Sequence, residues 1–131
     1  MRTEKDVEAY LLRLNRRYRA LDGQSGTFLV ESGGGDQPPV AVRVDPPLVV
    51  VRVHLGDIKN VKDPSSLYKL LLESNAKTLV HASYGLEDGR VVLSSALELE
   101  NLDFNELQAT LDEIDVALAT QLPGLTHAKS A

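Results

Sequence analysis

The chain has 131 residues, a formal net charge of −5 and no cysteine. This length fits one domain with a single core, and the negative charge argues against a general binder of nucleic-acid backbones. The lack of cysteine excludes disulfides and thiolate metal sites. No apolar run is long enough to cross a bilayer, and residues 1–22 lack the apolar middle of a secretory signal, so we expect a cytoplasmic protein.

The first half of the chain predicts one helix followed by three strands. Thr3 is placed to cap the helix, whose apolar face recurs at helical spacing as far as Leu21. That face consists of Val7, Tyr10, Leu11, Leu14, Tyr18 and Leu21. Strands are predicted over 27–31, 40–44 and 48–55, because glycine- and proline-rich loops separate them.

The second half predicts a helix, a hairpin and a last helix. Asp63-Pro64 provides a cap and a first-turn proline for a helix that ends at Asn75, with Leu67, Leu70 and Leu71 on its core face. Strands over 78–86 and 90–99 are joined by Asp88-Gly89, a pair typical of tight hairpin turns. A capping box of Asp103 and Glu106 opens the last helix, and Pro123-Gly124 ends it.

The predicted order, α-β-β-β-α-β-β-α, indicates an α+β fold in which helices pack against an antiparallel sheet. We expect one domain over residues 1–131, with about 126–131 forming a disordered tail. The glycine-rich loop after residue 32 is interpreted as a mobile hairpin connection within that domain.

Three segments carry a resemblance to a known family. They read LYKLLLESNA over 67–76, YGLEDGRVVL over 84–93 and LDFNEL over 102–107. In the sequence of these segments and in the order of its elements, the chain resembles the class I type III secretion chaperones, the Tir chaperone (CesT-like) family, and the related YbjN-like proteins. The resemblance implies a homodimer that binds an extended segment of a client or effector protein without ATP, cofactor or catalysis. It leaves open whether this chain serves a secreted client or acts, like YbjN-like members, as a regulatory or structural dimer without one.

The residues independently predict a partner-binding face on the sheet. Along 48–55, alternate positions form a core stripe of Val49, Val51, Val53 and Leu55. The opposite face is half apolar, which is unusual for an uncovered antiparallel sheet. We therefore predict a partner-binding set of Leu29, Leu48, Val50, Val92 and Ala96. The alternative is that the sheet's own twist and loops cover these side chains.

The helix after Asp63 has a second apolar row, formed by Tyr68 and Leu72. One sheet needs only one row, so the second row predicts a twofold dimer interface at Tyr68, Leu71 and Leu72. Deep burial of this helix in a single core would explain the same pattern.

Charge is unevenly distributed along the chain. Residues 91–127 contain no Lys or Arg but seven carboxylates, an acidic surface that either attracts a basic client or only aids solubility. Four arginines cluster on the predicted first helix, at Arg13, Arg16, Arg17 and Arg19. They are expected to pair with those carboxylates or to be solvated, with a phosphate contact as the alternative.

No catalytic or metal-binding pattern is present. His54, His81 and His127 lack the spacing of a helical zinc site, and no phosphate-binding loop or nucleophile elbow occurs. Glu98 and Glu100 share a strand side, but an acid and base pair also requires a pocket. We expect no enzyme, cofactor, metal, nucleic acid or membrane, unless the fold forms a concave polar site near His54 or His81.

Overall fold

The computed structural model describes residues 2–23, 26–32 and 37–120. Most of the predicted glycine-rich loop lies outside these residues. The predicted helix stop at 123–124 and the predicted tail at 126–131 lie wholly outside them. The elements in chain order are α1 (Glu4–Arg13), β1 (Tyr18–Ala20), β2 (Thr27–Val30), β3 (Val40–Asp45), β4 (Leu48–Asp57), a 3-10 turn (Ile58–Asn60), α2 (Pro64–Lys77), β5 (Ser83–Glu87), β6 (Arg90–Glu98) and α3 (Phe104–Thr120).

The strands form one six-stranded antiparallel sheet in the order β1-β2-β3-β4-β6-β5. The predicted α+β fold is therefore confirmed, with one short strand added before the predicted three. Strands β1 and β5 lie at the two edges of the sheet, and β4 pairs with β3 and β6 at its centre.

All three described helices pack on the same face of the sheet. Their buried side chains join a single core cluster with alternate residues of the strands, such as Val51 of β4 and Leu93 of β6, both 0 % exposed. Burying a Leu or Val side chain contributes about 1.5–3 kcal/mol, so this one cluster dominates stability. We call the opposite face, which no described helix covers, the outer face.

Helix α1 is shorter than predicted. It ends at Arg13, and Asn15 takes a left-handed conformation with φ 60°, which turns the chain into β1. Tyr18 and Leu21 were predicted on the helix, but Tyr18 instead packs edge-on against Phe28 of the neighbouring strand, with ring centroids 5.9 Å apart.

The arginine cluster near α1 is partly paired with the last helix. Arg16 forms ion pairs of 3.1 Å with Asp112 and 2.6 Å with Asp115. Arg13 stacks 4.0 Å from the centre of the Phe104 ring. These contacts confirm the predicted pairing with carboxylates for Arg16 and fix the start of the chain against α3.

The second half follows the prediction closely, with one correction. Asp63 caps α2 through the Ser66 N–H, and Asp103 and Glu106 form the predicted capping box. The hairpin turn at Asp88-Gly89 has positive φ at both residues, 51° and 77°. Asn75, however, does not end α2, which continues to Lys77 and leaves β5 to begin at Ser83.

Candidate protein-binding site

The five residues predicted to bind a partner all project from the outer face. Phe28 and Val30 lie in the core, so Leu29 between them points the other way. In the same manner Leu48 and Val50 alternate with the buried Val49 and Val51 of β4. On β6, Ala96 lies opposite Val50 and Val92 lies opposite His54. The fold thus brings residues from three strands onto one surface.

Four of these five side chains are accessible. Leu48 is 38 % exposed, Ala96 is exposed, and Leu29 and Val50 are half-buried. Together with the half-buried Ala41, which pairs with Leu29, they run diagonally across the sheet. We call Leu29, Ala41, Val50, Ala96 and Leu48 the apolar stripe.

Val92 is the exception, because it is only 4 % exposed. Arg52 of β4 and Glu87 of β5 lie on either side of β6, and their side chains meet at 2.8 Å. Arg52 pairs with Ser94 and Glu87 pairs with Arg90, so the ion pair crosses β6 at the level of Val92. The expectation of an open surface at Val92 is therefore wrong for this protomer, since an ion pair covers it. Its role in partner binding stays a prediction that requires Arg52 and Glu87 to move.

A depression of about 580 Å³ lies at the β1 end of the outer face. Its walls carry both charged and apolar side chains. They are Arg17, Tyr18, Arg19, Leu29, Glu31, Ser32, Gln37 and Pro39. Because Leu29 belongs to both, the depression continues the apolar stripe toward the edge of the sheet.

The β1 edge has free backbone groups. The Leu21 N–H donates to Thr27 and the Arg17 carbonyl accepts from Glu31, both on β2. In this register the N–H and C=O groups of Tyr18 and Ala20 point outward, and no described residue bonds to them. This edge is a template on which another extended chain can form backbone hydrogen bonds.

The β5 edge is closed by side chains as far as Tyr84, whereas the outward N–H and C=O groups of Leu86 bond to no described residue. The Asn75 carboxamide accepts from the Tyr84 N–H at 2.7 Å and donates to the Tyr84 carbonyl at 3.2 Å. Just before β5, the Glu113 carboxylate accepts from the N–H groups of Val80, His81 and Ala82 at 2.8–3.2 Å. Burial behind this edge raises the pKa of Tyr84 to about 12.

Sequence reasoning did not find the β1 edge, because helical periodicity through Leu21 concealed it. Tyr18-Arg19-Ala20 is short, but its alternation fits a strand as well as a helix. Asn15, a residue type that tolerates positive φ, was the available signal that the helix stops earlier.

A second exposed apolar surface lies on α2. Tyr68 is 37 % and Leu72 is 67 % exposed, and we call these two residues the α2 patch. Leu71, predicted with them, is 6 % exposed in the protomer's own core, so it can support an interface only from beneath. Leu70 was predicted in the core but is 40 % exposed, since it lies about 100° around the helix from Leu71.

No catalytic centre is visible in the described part of the chain. His54 Nε2 lies 3.9 Å from Glu87 Oε1 at the surface, and His81 contributes only backbone groups to hydrogen bonds. Among residues 2–23, 26–32 and 37–120, no cluster of His, Asp and Glu could hold a metal ion, and no helix is long and apolar enough to span a membrane. Glu98 ends β6 and Glu100 lies beyond it, so they do not form a strand pair.

Comparisons with known proteins agree with this fold. The model of the family CesT_Tir_1, a type III secretion chaperone family, matches residues 1–130. A chain of the heterodimeric ExoU-SpcU complex from the type III secretion system of Pseudomonas aeruginosa superposes with a TM-score of 0.68 at 16 % identity, covering 89 % of this chain and 95 % of that one. YbjN from E. coli, a proposed transcription regulator, superposes with a TM-score of 0.62 at 11 % identity, covering 95 % and 92 %. A search of curated proteins gives no significant match.

Proposed function

We propose, since the chain belongs to the type III secretion chaperone family CesT_Tir_1, that it is a non-catalytic cytoplasmic module that binds an extended segment of a client protein. Binding would mask apolar residues of the client before it folds or is exported, and would need neither ATP nor a cofactor. The apolar stripe carries this proposal, because a single-domain protein has no structural need for an apolar surface on a helix-free sheet face.

The open β1 edge supplies the second half of the mechanism. A client strand can add to β1 through the outward backbone groups of Tyr18 and Ala20, while its continuation crosses the depression toward the apolar stripe. Backbone bonds give affinity that does not depend on sequence, and side-chain contacts on the outer face give selectivity. The ExoU-SpcU structure, a complex of two different chains, supports a partner protein as the ligand of this fold.

A client-capture experiment tests the outer face. We expect Leu29→Asp or Val50→Asp to reduce by about tenfold the amount of client that co-purifies from an extract of the source organism, because a carboxylate in the apolar stripe is desolvated on binding. The matched control is Val116→Asp, which places the same charge at a 60 % exposed valine of α3. Circular dichroism checks that each variant folds. Equal capture by Leu29→Asp and the parent would reject the outer face as the client site.

We also propose that the protein is a homodimer joined through the α2 patch. Two copies related by a twofold axis would cover Tyr68 and Leu72 of both protomers. Leu86, which is 49 % exposed on β5, the strand that packs beside α2, is placed to extend this contact.

Light scattering tests the dimer directly. Tyr68→Glu with Leu72→Glu is expected to halve the molar mass, because four like charges would face each other across the axis. Leu70→Glu is the control, since it adds charge at another exposed leucine of the same helix. A dimer mass that persists in the double variant would contradict this interface.

A YbjN-like role is the second candidate, favoured by the TM-score of 0.62 to that protein. In this case the chain would be a regulatory or structural dimer without a dedicated client. Affinity purification from the source organism distinguishes the two functions. A protein enriched by the parent and lost from Leu29→Asp supports the chaperone, whereas the absence of any enriched protein supports the YbjN-like role.

A further inference from the structure

We infer that the segment that pairs with β1 is one in which acidic and apolar residues alternate. This inference rests on the proposed function and specifies the class of client sequence that the same site accepts. It follows from the two sides of the β1 edge. The side on the outer face is basic, and the side that faces the helices favours apolar residues.

The outer side of this edge is basic although the chain as a whole is acidic, with 14 Lys and Arg against 19 Asp and Glu. Arg17 and Arg19 are both exposed and form no ion pair with any residue that the structure describes. Two other outer-face arginines are already paired, Arg43 with Asp45 at 3.4 Å and Arg52 with Glu87 at 2.8 Å. Within the described residues, the β1 edge therefore offers two arginines without an ion pair beside the apolar stripe.

Arg19 is the stronger of the two recognition residues. The cross-strand neighbour of Arg17 is Glu31, which also lines the depression, whereas the neighbour of Arg19 is the apolar Leu29. An added strand would place one residue beside Arg19 on its free side, at the distance of a directly opposed cross-strand pair. An Asp or Glu at that position gains an ion pair, and a Lys or Arg is repelled.

The helix side of the edge favours apolar residues. Tyr18 and Ala20 point to this side, and the Tyr18 hydroxyl donates to the Glu8 carboxylate of α1 at 3.0 Å. Leu12 follows Glu8 by one helical turn on the same side of α1 and is 66 % exposed. A client side chain opposite Tyr18 or Ala20 would meet the Tyr18 ring and Leu12, while the Glu8 charge disfavours a carboxylate there.

Alternation follows from strand geometry. Successive residues of an added strand point to opposite faces, so residues beside Arg17 and Arg19 are separated by one that faces Tyr18, and the residue that faces Ala20 follows on the other side of Arg19. The edge from Arg17 to Leu21 is about 17 Å long at the usual strand rise, enough for about five client residues. The preferred pattern is thus acidic, apolar, acidic, apolar over that length.

Fluorescence anisotropy with synthetic peptides tests the inference on the full chain. The probes are a labelled peptide of alternating Glu and Val, the same peptide with Lys in place of Glu, and a block peptide with all Glu before all Val. We expect the alternating Glu peptide to bind about tenfold more tightly than the Lys peptide and more tightly than the block peptide. Added salt should narrow the difference, because the charges are exposed.

Charge reversal at the edge is the decisive variant. Arg19→Glu should reverse the preference, so that the Lys peptide binds more tightly than the Glu peptide. The control Arg90→Glu makes the same change on an exposed arginine of the outer face at the other end of the sheet and should leave the preference unchanged.

The outcomes separate this inference from the proposed function. Equal binding of the Glu and Lys peptides, or an equal effect of Arg90→Glu, overturns the inference. Failure of all three peptides to bind, while client capture still depends on Leu29, also overturns it and leaves the function standing. Loss of both peptide binding and client capture overturns the two together.

Discussion

The two edges of the sheet are built differently. At the β5 edge, a helical amide bonds both outward groups of Tyr84, and Glu113 binds the three N–H groups that precede the strand. At the β1 edge, the outward groups of Tyr18 and Ala20 bond to no described residue. An unpaired edge invites association with other extended chains, and proteins usually block it. On β5 only Leu86 keeps unbonded outward groups among the described residues, whereas both outward-facing residues of β1 do, which favours such pairing at β1.

The same contrast applies to the side chains around each edge. The β5 end of the outer face is crossed by the Arg52–Glu87 ion pair, which covers Val92. The β1 end has a depression and two arginines, Arg17 and Arg19, that form no ion pair with any described residue. Under the proposed function these two ends would have separate roles, with β1 and the apolar stripe binding a client and α2 beside β5 binding a second protomer.

The largest expected effect comes from Glu113, because three backbone N–H groups depend on its carboxylate. Glu113→Ala should lower the free energy of unfolding by about 3 kcal/mol, since hydrogen bonds to a charged group contribute about 1.5–3 kcal/mol. Urea denaturation measures this change, and hydrogen exchange should accelerate at Val80, His81 and Ala82. The control is Glu73→Ala, an exposed glutamate of α2. Equal stability of the two variants would show that Glu113 does not hold the β5 edge.

Removing the Asn75 side chain tests whether this amide blocks the β5 edge. Asn75→Ala should cost about 2 kcal/mol of unfolding free energy, because two hydrogen bonds to Tyr84 are lost. The opened edge should also promote concentration-dependent association, measured by light scattering. Asn105→Ala, at an exposed asparagine of α3, is the control. If the Asn75→Ala variant stays at the parent's mass, the edge is protected by something else.

Much of the fold could be predicted because local patterns determined it. The alternation of Val49, Val51 and Val53 predicted the core face of β4, and Asp88-Gly89 predicted the hairpin. The same alternation placed Leu29 and Val50 on the outer face. Each of these features depends on residues close together in the chain, where spacing alone carries the information.

The remaining features depend on contacts between distant residues. Asn15 and Asn75 are the same residue type, yet Asn15 ends its helix with positive φ while Asn75 stays helical and bonds Tyr84, nine residues later. The cover over Val92 comes from Arg52 and Glu87, which are 35 residues apart. Sequence spacing gives no sign of either contact, so the closed β5 edge and the buried Val92 could not be predicted.

A proline in β1 would break the open edge without breaking the sheet. The Ala20 N–H points away from β2, so Ala20→Pro removes a donor that only an added strand would use. Client or peptide binding should weaken by about tenfold, while the free energy of unfolding changes by less than about 1 kcal/mol. Ala20→Val keeps the N–H and serves as the control. Unchanged binding in Ala20→Pro would mean that the client does not pair with β1.

The smallest expected effect is a pH dependence that arises at the closed edge. Burial raises the pKa of Tyr84 to about 12 from an ordinary value of 10.0. Between pH 10 and 12 the unfolded chain loses this proton before the folded chain does, so the free energy of unfolding falls as pH rises. The slope from this group should be below about 1 kcal/mol per pH unit, because the site keeps some contact with water.

Comparing Tyr84→Phe with the parent isolates this contribution. Urea unfolding at several pH values above 9 should show a shallower decline for the variant, because phenylalanine has no proton to lose. Burial, with the hydrogen bond and charge of Glu8, also raises the pKa of Tyr18 at the β1 edge, and Tyr18→Phe measures that share in the same way. A client bound at β1 should change the contribution of Tyr18 to the pH dependence of the free energy of unfolding and leave the contribution of Tyr84 constant. If the client changes the contributions of both tyrosines equally, the two edges are not independent.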